Sequence, residues 1–173
     1  MGASEEPYLI EALGKQHDRA GFHCGMESLD LYLKTQASKD MRRKANAVFV
    51  LVPRESPNRI AGYFTLCAYA LAPGTVPEAV RKHIPRYPMV SATLLGSLSV
   101  SREFQGRGLG SNLLAKALKK AFTHAVEVGS SMVVVDAVDE RAANFYKMHG
   151  FIPLPESMRL ILPMQTIAAL FLP

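Results

Sequence analysis

The chain has only two cysteines in 173 residues, Cys24 and Cys67, too few and too far apart for a disulfide framework or a cysteine-based metal cluster. Reduced thiols are the plain reading, and no metal site is expected. No charged-then-apolar N-terminal segment resembles a signal peptide, and no apolar run is long enough to cross a bilayer. A soluble cytoplasmic protein without a membrane partner is therefore the expectation. Repeats, linkers and low-complexity tracts are also missing, so residues 1–173 read as a single domain, and 49% hydrophobic residues suffice for a packed core.

What is present begins with charge. The formal net charge is +5, which suits a polyanionic partner as well as ordinary solubility. Basic residues gather at Arg42-Arg43-Lys44, at Arg81-Lys82-His83 with Arg86, and at Lys116 with Lys119-Lys120. Solvated helix faces and a nucleic-acid surface are both open readings of these clusters.

Periodicity supplies the elements. Tyr8 to Leu13 reads as a first strand, and Leu29, Leu33, Ala37 and Met41 recur every fourth residue as the stripe of one helix over residues 28–44. Ala47–Val52 and Ile60–Leu71 form a hairpin around Ser56-Pro57-Asn58. Prolines at 73, 77, 85 and 88 leave room only for a short helix within Val76–Ile84. Met89–Ser101 is a strand in which Gly96 suggests a bulge or a close backbone approach. A long helix over Leu109–Val128 stops at Gly129, and Met132–Val135 is a continuous apolar run of the buried-strand type. A helix over Asp136–His149 with Gly150 as its cap, and a strand over Met158–Leu162, complete a mixed α/β sheet with packed helices.

Two constellations carry chemistry. Strand, Gly-rich loop and helix succeed one another from Leu98 to Leu114, and the loop reads Gln105-Gly106-Arg107-Gly108-Leu109-Gly110. Unpaired N–H groups and the positive end of the helix dipole make such an entry a phosphate site, or else it is a plain tight turn. The spacing matches neither a P-loop nor a dinucleotide fingerprint. Further on, Asn144-Phe145-Tyr146 precedes His149-Gly150-Phe151; Phe145 reads as a core aromatic.

Together these residues resemble the GNAT N-acetyltransferase superfamily. Its cofactor loop, Gln/Arg-x-x-Gly-x-Gly/Ala, is matched by Gln105, Gly108 and Gly110, and its late helix by Asn144, Tyr146, Gly150 and Phe151. The resemblance implies a mixed, mostly antiparallel twisted sheet with helices on both faces and two splayed strands holding acetyl-CoA. It implies cofactor contacts from Leu98, Ser99, Val100, Gln105, Gly106, Arg107, Gly108, Leu109, Gly110, Ser111 and Asn144. An N–H near Gly96 would face the thioester oxygen, and Tyr146 would protonate the departing thiolate.

A narrower resemblance is carried by Phe22-His23-Cys24-Gly25, by Leu29-Asp30 with Tyr32-Leu33, and by Ile60 to Leu66. These look like the GNAT toxins of bacterial toxin–antitoxin pairs, although the stretch Leu95 to Val100 lacks the arginine that members of that group usually carry near Ser97. The likeness implies acetylation of the α-amine of aminoacyl-tRNA, a homodimer and a ribbon-helix-helix antitoxin. Arg42, Arg43, Lys44, Arg81, Lys82 and Arg86 are then the candidates for tRNA contact. No carboxylate lies within Leu94–Val100 to act as base; Glu103 and His83 remain through water. The missing base favours an α-amine, of which roughly a third is neutral at pH 7.5 against roughly a thousandth of a lysine amine. A small-molecule or protein amine is the alternative acceptor.

Overall fold

The computed structural model describes residues 5–84 and 87–171. Seven strands form one sheet in the order β1-β2-β3-β4-β5-β7-β6. They are β1 (Tyr8–Ala12), β2 (Ala47–Pro53), β3 (Gly62–Leu71), β4 (Val90–Val100), β5 (Met132–Asp136), β6 (Ile152–Pro153) and β7 (Arg159–Pro163). The chain divides into two compact units. One holds the described residues up to Leu66 with Ser97–Lys116; the other holds Cys67–Gly96 with the described residues from Ala117 onward. β3, β4 and the helix α4 (Leu109–Glu127) run from one unit into the other.

In the first unit, β2 pairs antiparallel with β1, Tyr8 opposite Pro53, and with β3, Phe49 opposite Phe64. Val48, Val50 and Val52 alternate into a core with Phe22, Leu33, Ala37 and Tyr63. On the other face Phe49 and Phe64 stack at 5.2 Å, the usual gain of a directly opposed aromatic pair. The single helix predicted over residues 28–44 is two helices, α1 (Glu27–Thr35) and α2 (Ala37–Arg42), broken at Gln36. The stripe itself demands the break. Four residues advance a straight helix by about 40° beyond a full turn, so Leu29 and Met41 drift about 120° apart. Across the break at Gln36, Leu33 and Ala37 are both fully buried. Asp40 secures the corner by accepting from Tyr32 Oη at 2.8 Å and Gln36 Nε2 at 2.9 Å.

In the second unit, β4 and β5 pair in parallel over Thr93–Leu95 and Val133–Val135. β5 is antiparallel to β7, Val134 opposite Ile161, and β7 to β6. Met132 to Val135 are all buried, as the uninterrupted apolar run predicts. A short α3 (Glu78–Arg81) follows a 3-10 turn at Pro73–Thr75. The helix predicted from Asp136 is α5 (Glu140–Met148), because Asp136 still belongs to β5 and Asp139 caps the helix by accepting from the Ala142 N–H at 2.8 Å. β6 and a terminal helix α6 (Met164–Phe171) are additions to the sequence reading. Met164 and Ile167 of α6 are buried, and Phe171 meets Phe122 with ring centres 6.4 Å apart.

Candidate active site

The Gly-rich loop is built at the end of β4. A 3-10 turn, Arg102–Phe104, leads into residues 105–108 and then α4. Gly106 (φ +80°) and Gly108 (φ +74°) both sit in the left-handed region, and an added Cβ at either would meet nothing within 4 Å. Backbone conformation, not crowding, requires glycine there, and the space beside the loop is open. Leu109, Gly110 and Ser111 form the first turn of α4, whose amides have no preceding carbonyl inside the helix. Of the strand residues implicated with them, Leu98 and Val100 are half-buried and Ser99 is buried.

The side chains around this loop brace it. Gln105 Nε2 donates to Val100 O at 2.9 Å and to Cys24 O at 3.1 Å. Arg107 donates to Glu103 O at 3.2 Å and lies over the Phe104 ring at 5.2 Å. Arg59 lies over the same ring at 4.9 Å and pairs with the Glu103 carboxylate at 2.5 Å. Glu103, a candidate base from sequence, is therefore ion-paired with Arg59 at the surface.

Tyr146 is set by the way α5 ends. Gly150, at φ +90°, donates its N–H to Lys147 O at 3.0 Å, and Phe151 donates to Tyr146 O at 3.1 Å. This is the Schellman closure, in which the residue after the glycine packs on the one three from the helix end. Those two residues are Phe151 and Tyr146, with ring centres 5.3 Å apart. Phe145 flanks Tyr146 edge-on at 5.4 Å. Phe145, read from sequence as a core aromatic, is only half-buried, whereas Tyr146 is 8% exposed, because the α5 stripe runs through Ala143 and Tyr146. Desolvation pushes the Tyr146 phenol up to about 12. Asn144 is exposed.

Arg42, Arg43 and Lys44 are exposed in the first unit, and Arg81 and Lys82 in the second; Arg86 lies outside the described residues. Lys116 is taken up by Glu6 at 3.1 Å. Cys24 and Cys67 are free thiols whose pKa burial raises, which leaves little reactive thiolate. Among the described residues no group of three or more His, Cys, Asp or Glu could hold a metal ion, and no helix is long and apolar enough to cross a membrane.

Sequence reasoning missed one cluster. Arg159 grips Asp136 with Nε to Oδ1 at 2.7 Å and Nη2 to Oδ2 at 3.0 Å. It also donates to Tyr69 Oη at 2.8 Å and stacks over that ring at 4.9 Å. Asp136 and Arg159 are opposite one another in the β5–β7 register, a relation invisible before the pairing is known.

Comparison with known proteins gives a concordant result. The Acetyltransferase (GNAT) family profile matches residues 15–151. A tRNA-acetylating toxin of Mycobacterium tuberculosis is 32% identical over 154 residues, covering 88% of this chain and 90% of the relative. The structure of AtaT complexed with acetyl-methionyl-tRNAfMet superposes with a TM-score of 0.86 at 32% identity, covering 95% of this chain and 99% of that one. A tyrosine-to-phenylalanine mutant of the AtaT toxin, bound to the C-terminus of the antitoxin AtaR and acetyl-CoA, gives 0.81 at 29% identity, covering 97% and 100%.

Proposed function

This chain belongs to the acetyltransferase (GNAT) family, and from that premise we propose that it transfers the acetyl group of acetyl-CoA to the α-amine of an aminoacyl-tRNA. The loop fits the cofactor. Two glycines in the left-handed conformation turn the backbone beside open space, and the first-turn amides of α4 supply donors for a pyrophosphate. Leu98, Ser99 and Val100 lie on the strand leading to that loop, and Gln105 ties the loop back to Val100. Asn144, two residues before Tyr146 on α5, remains in the proposed cofactor set.

Acetyl-CoA supplies a thioester, which a neutral amine attacks directly. Tyr146 holds the proton that the leaving sulfur needs, and the proton shed by the acylated nitrogen reloads the phenol through solvent. Its high pKa is not an obstacle, since phenol and thiol both become anions on ionising and the same dry surroundings raise both. The acceptor is supported by 32% identity to a tRNA-acetylating toxin over most of both chains. It is also supported by the absence of a carboxylate on residues 94–100, which suits an amine that ionises near neutrality. Within this reading the enzyme is a cytoplasmic homodimer of single-domain subunits, neutralised by a ribbon-helix-helix antitoxin.

The observation that carries the catalytic half is the glycine loop leading into α4. The test incubates the protein with radiolabelled acetyl-CoA and bulk aminoacyl-tRNA, then with deacylated tRNA. Label on charged tRNA alone is expected. Label on a lysine peptide or polyamine with none on any charged tRNA overturns the acceptor and leaves an amine acetyltransferase.

A further inference from the structure

The motif Phe22-His23-Cys24-Gly25 with Leu29-Asp30 plays no part in the transfer chemistry above, yet it is bound closely to the glycine loop. Both lie in the first unit. His23 donates its N–H to Ser101 Oγ at 3.3 Å, and its carbonyl accepts from the Arg102 N–H at 2.7 Å. Ser101 is buried, so the segment is joined to the interior end of β4. Gly25 follows in the left-handed region at φ +100°, where an added Cβ would come to 3.4 Å from Arg102 Nε. Phe22 anchors the other end, fully buried and edge-on to Tyr63 with ring centres 5.4 Å apart.

Cys24 is held at both backbone groups, and by two different elements. Its N–H donates to Asp30 Oδ1 on α1 at 2.9 Å, and its carbonyl accepts from Gln105 Nε2 at 3.1 Å. Met26 gives α1 no side-chain cap; Asp30 reaches back past it to Cys24 instead. The helix is a firm base for that reach. Leu33 is fully buried beneath it, and Tyr63 Oη donates to Leu29 O at 2.8 Å. The loop at the far end is the opposite case. Gly106 and Gly108 have nothing beside them to limit their motion, so its shape depends on what holds Gln105.

We propose that Asp30 is a positioning residue for acetyl-CoA: acting through Cys24 and Gln105, it holds the glycine loop in the conformation that receives the pyrophosphate. The inference rests on the assignment of that loop to the cofactor. A loop fixed before binding loses less freedom when the ligand arrives, and the saving appears as affinity. The coupling is reciprocal, so a bound cofactor must in turn steady the contact between Cys24 and Asp30.

The experiment titrates acetyl-CoA calorimetrically into the wild-type chain, Asp30→Ala, Asp30→Asn, Gln105→Leu and the double variant Asp30→Ala with Gln105→Leu. Asp30→Ala should weaken binding by about 5-fold or more, the lower end of usual coupling between linked sites. Asp30→Asn keeps an oxygen to accept from Cys24 and should recover most of the affinity. Once Gln105→Leu has cut the path to the loop, adding Asp30→Ala should cost nothing further. Undiminished binding in Asp30→Ala overturns the proposal. So do losses that multiply in the double variant, which a mere loss of fold stability would produce. Should Asp30→Ala not fold, hydrogen exchange of the wild-type chain decides: acetyl-CoA should slow the Cys24 amide, and an unchanged rate overturns the role. Undiminished binding in Gly108→Val is a different failure, that of the loop assignment itself.

Discussion

A phenol that is only 8% exposed gives up its proton reluctantly, and burial pushes the Tyr146 pKa up to about 12. In the proposed reaction this keeps the general acid loaded over the whole working range. The pH–rate profile should rise with a midpoint near the amine's pKa, about 7–8, and show no descending limb from Tyr146 below about pH 11. Tyr146→Phe keeps the ring against Phe151 while removing the proton, so kcat should fall about 10²–10⁴-fold with acetyl-CoA affinity unchanged. A variant retaining most of its rate would remove Tyr146 from the reaction. A raised folded-state pKa also carries a stability consequence: this contribution is whole below about pH 10, where the unfolded phenol begins to ionise, and is lost toward about pH 12. At the loop, Gly108→Val forces a branched side chain into φ +74° and should weaken acetyl-CoA binding in calorimetric titration. Arg107→Ala, whose side chain rests on Phe104, should change that affinity far less.

At the scale of elements, the two ends of α5 separate stability from positioning. Asp139 caps the N-terminus and touches nothing of Tyr146, so Asp139→Ala should lower stability by about 1 kcal/mol and leave kcat nearly unchanged. Gly150 closes the C-terminus at φ +90°, where an alanine costs about 1–2 kcal/mol. That closure also holds Tyr146 against Phe151, so Gly150→Ala should lower kcat as well as the melting temperature. Equal kcat in the two variants would show that the tyrosine's placement does not depend on the Schellman closure. The α1–α2 corner teaches the complementary lesson. There a repeat of strictly four residues outruns the helical period, and with the break at Gln36 Leu33, Ala37 and Met41 meet one core.

For the whole molecule, a net charge of +5 and the exposed Arg42, Arg43, Lys44, Arg81 and Lys82 make salt the sharpest probe of a nucleic-acid partner. Each phosphate neutralised releases condensed counterions, so tRNA affinity should fall linearly with log salt. Replacing a phosphate-contacting lysine or arginine should lower that slope by about one unit, whatever the acylating amino acid. Filter binding of deacylated tRNA across a salt series measures it. A slope near zero in the wild-type protein would exclude these residues as a phosphate track.

What the sequence by itself determined is local. The buried run Met132–Val135, the amphipathic α4, the glycine loop at Gln105–Gly110 and the closing Gly150 each follow from conformational preference or periodicity within a few residues. The resemblance in Gln105, Gly108, Gly110, Asn144 and Tyr146 then pointed to the family. Only the tertiary structure decided the rest. α6 is only eight residues long and follows β7 with no residue between, so its start carries no local mark, and two-residue β6 exists only because β7 is there to pair with it. Tyr146 rather than Phe145 is buried because Phe151 folds back onto it. Asp136 meets Arg159 because β5 and β7 take one register of many, and that register depends on the summed burial of both strands, which no local stretch of chain contains.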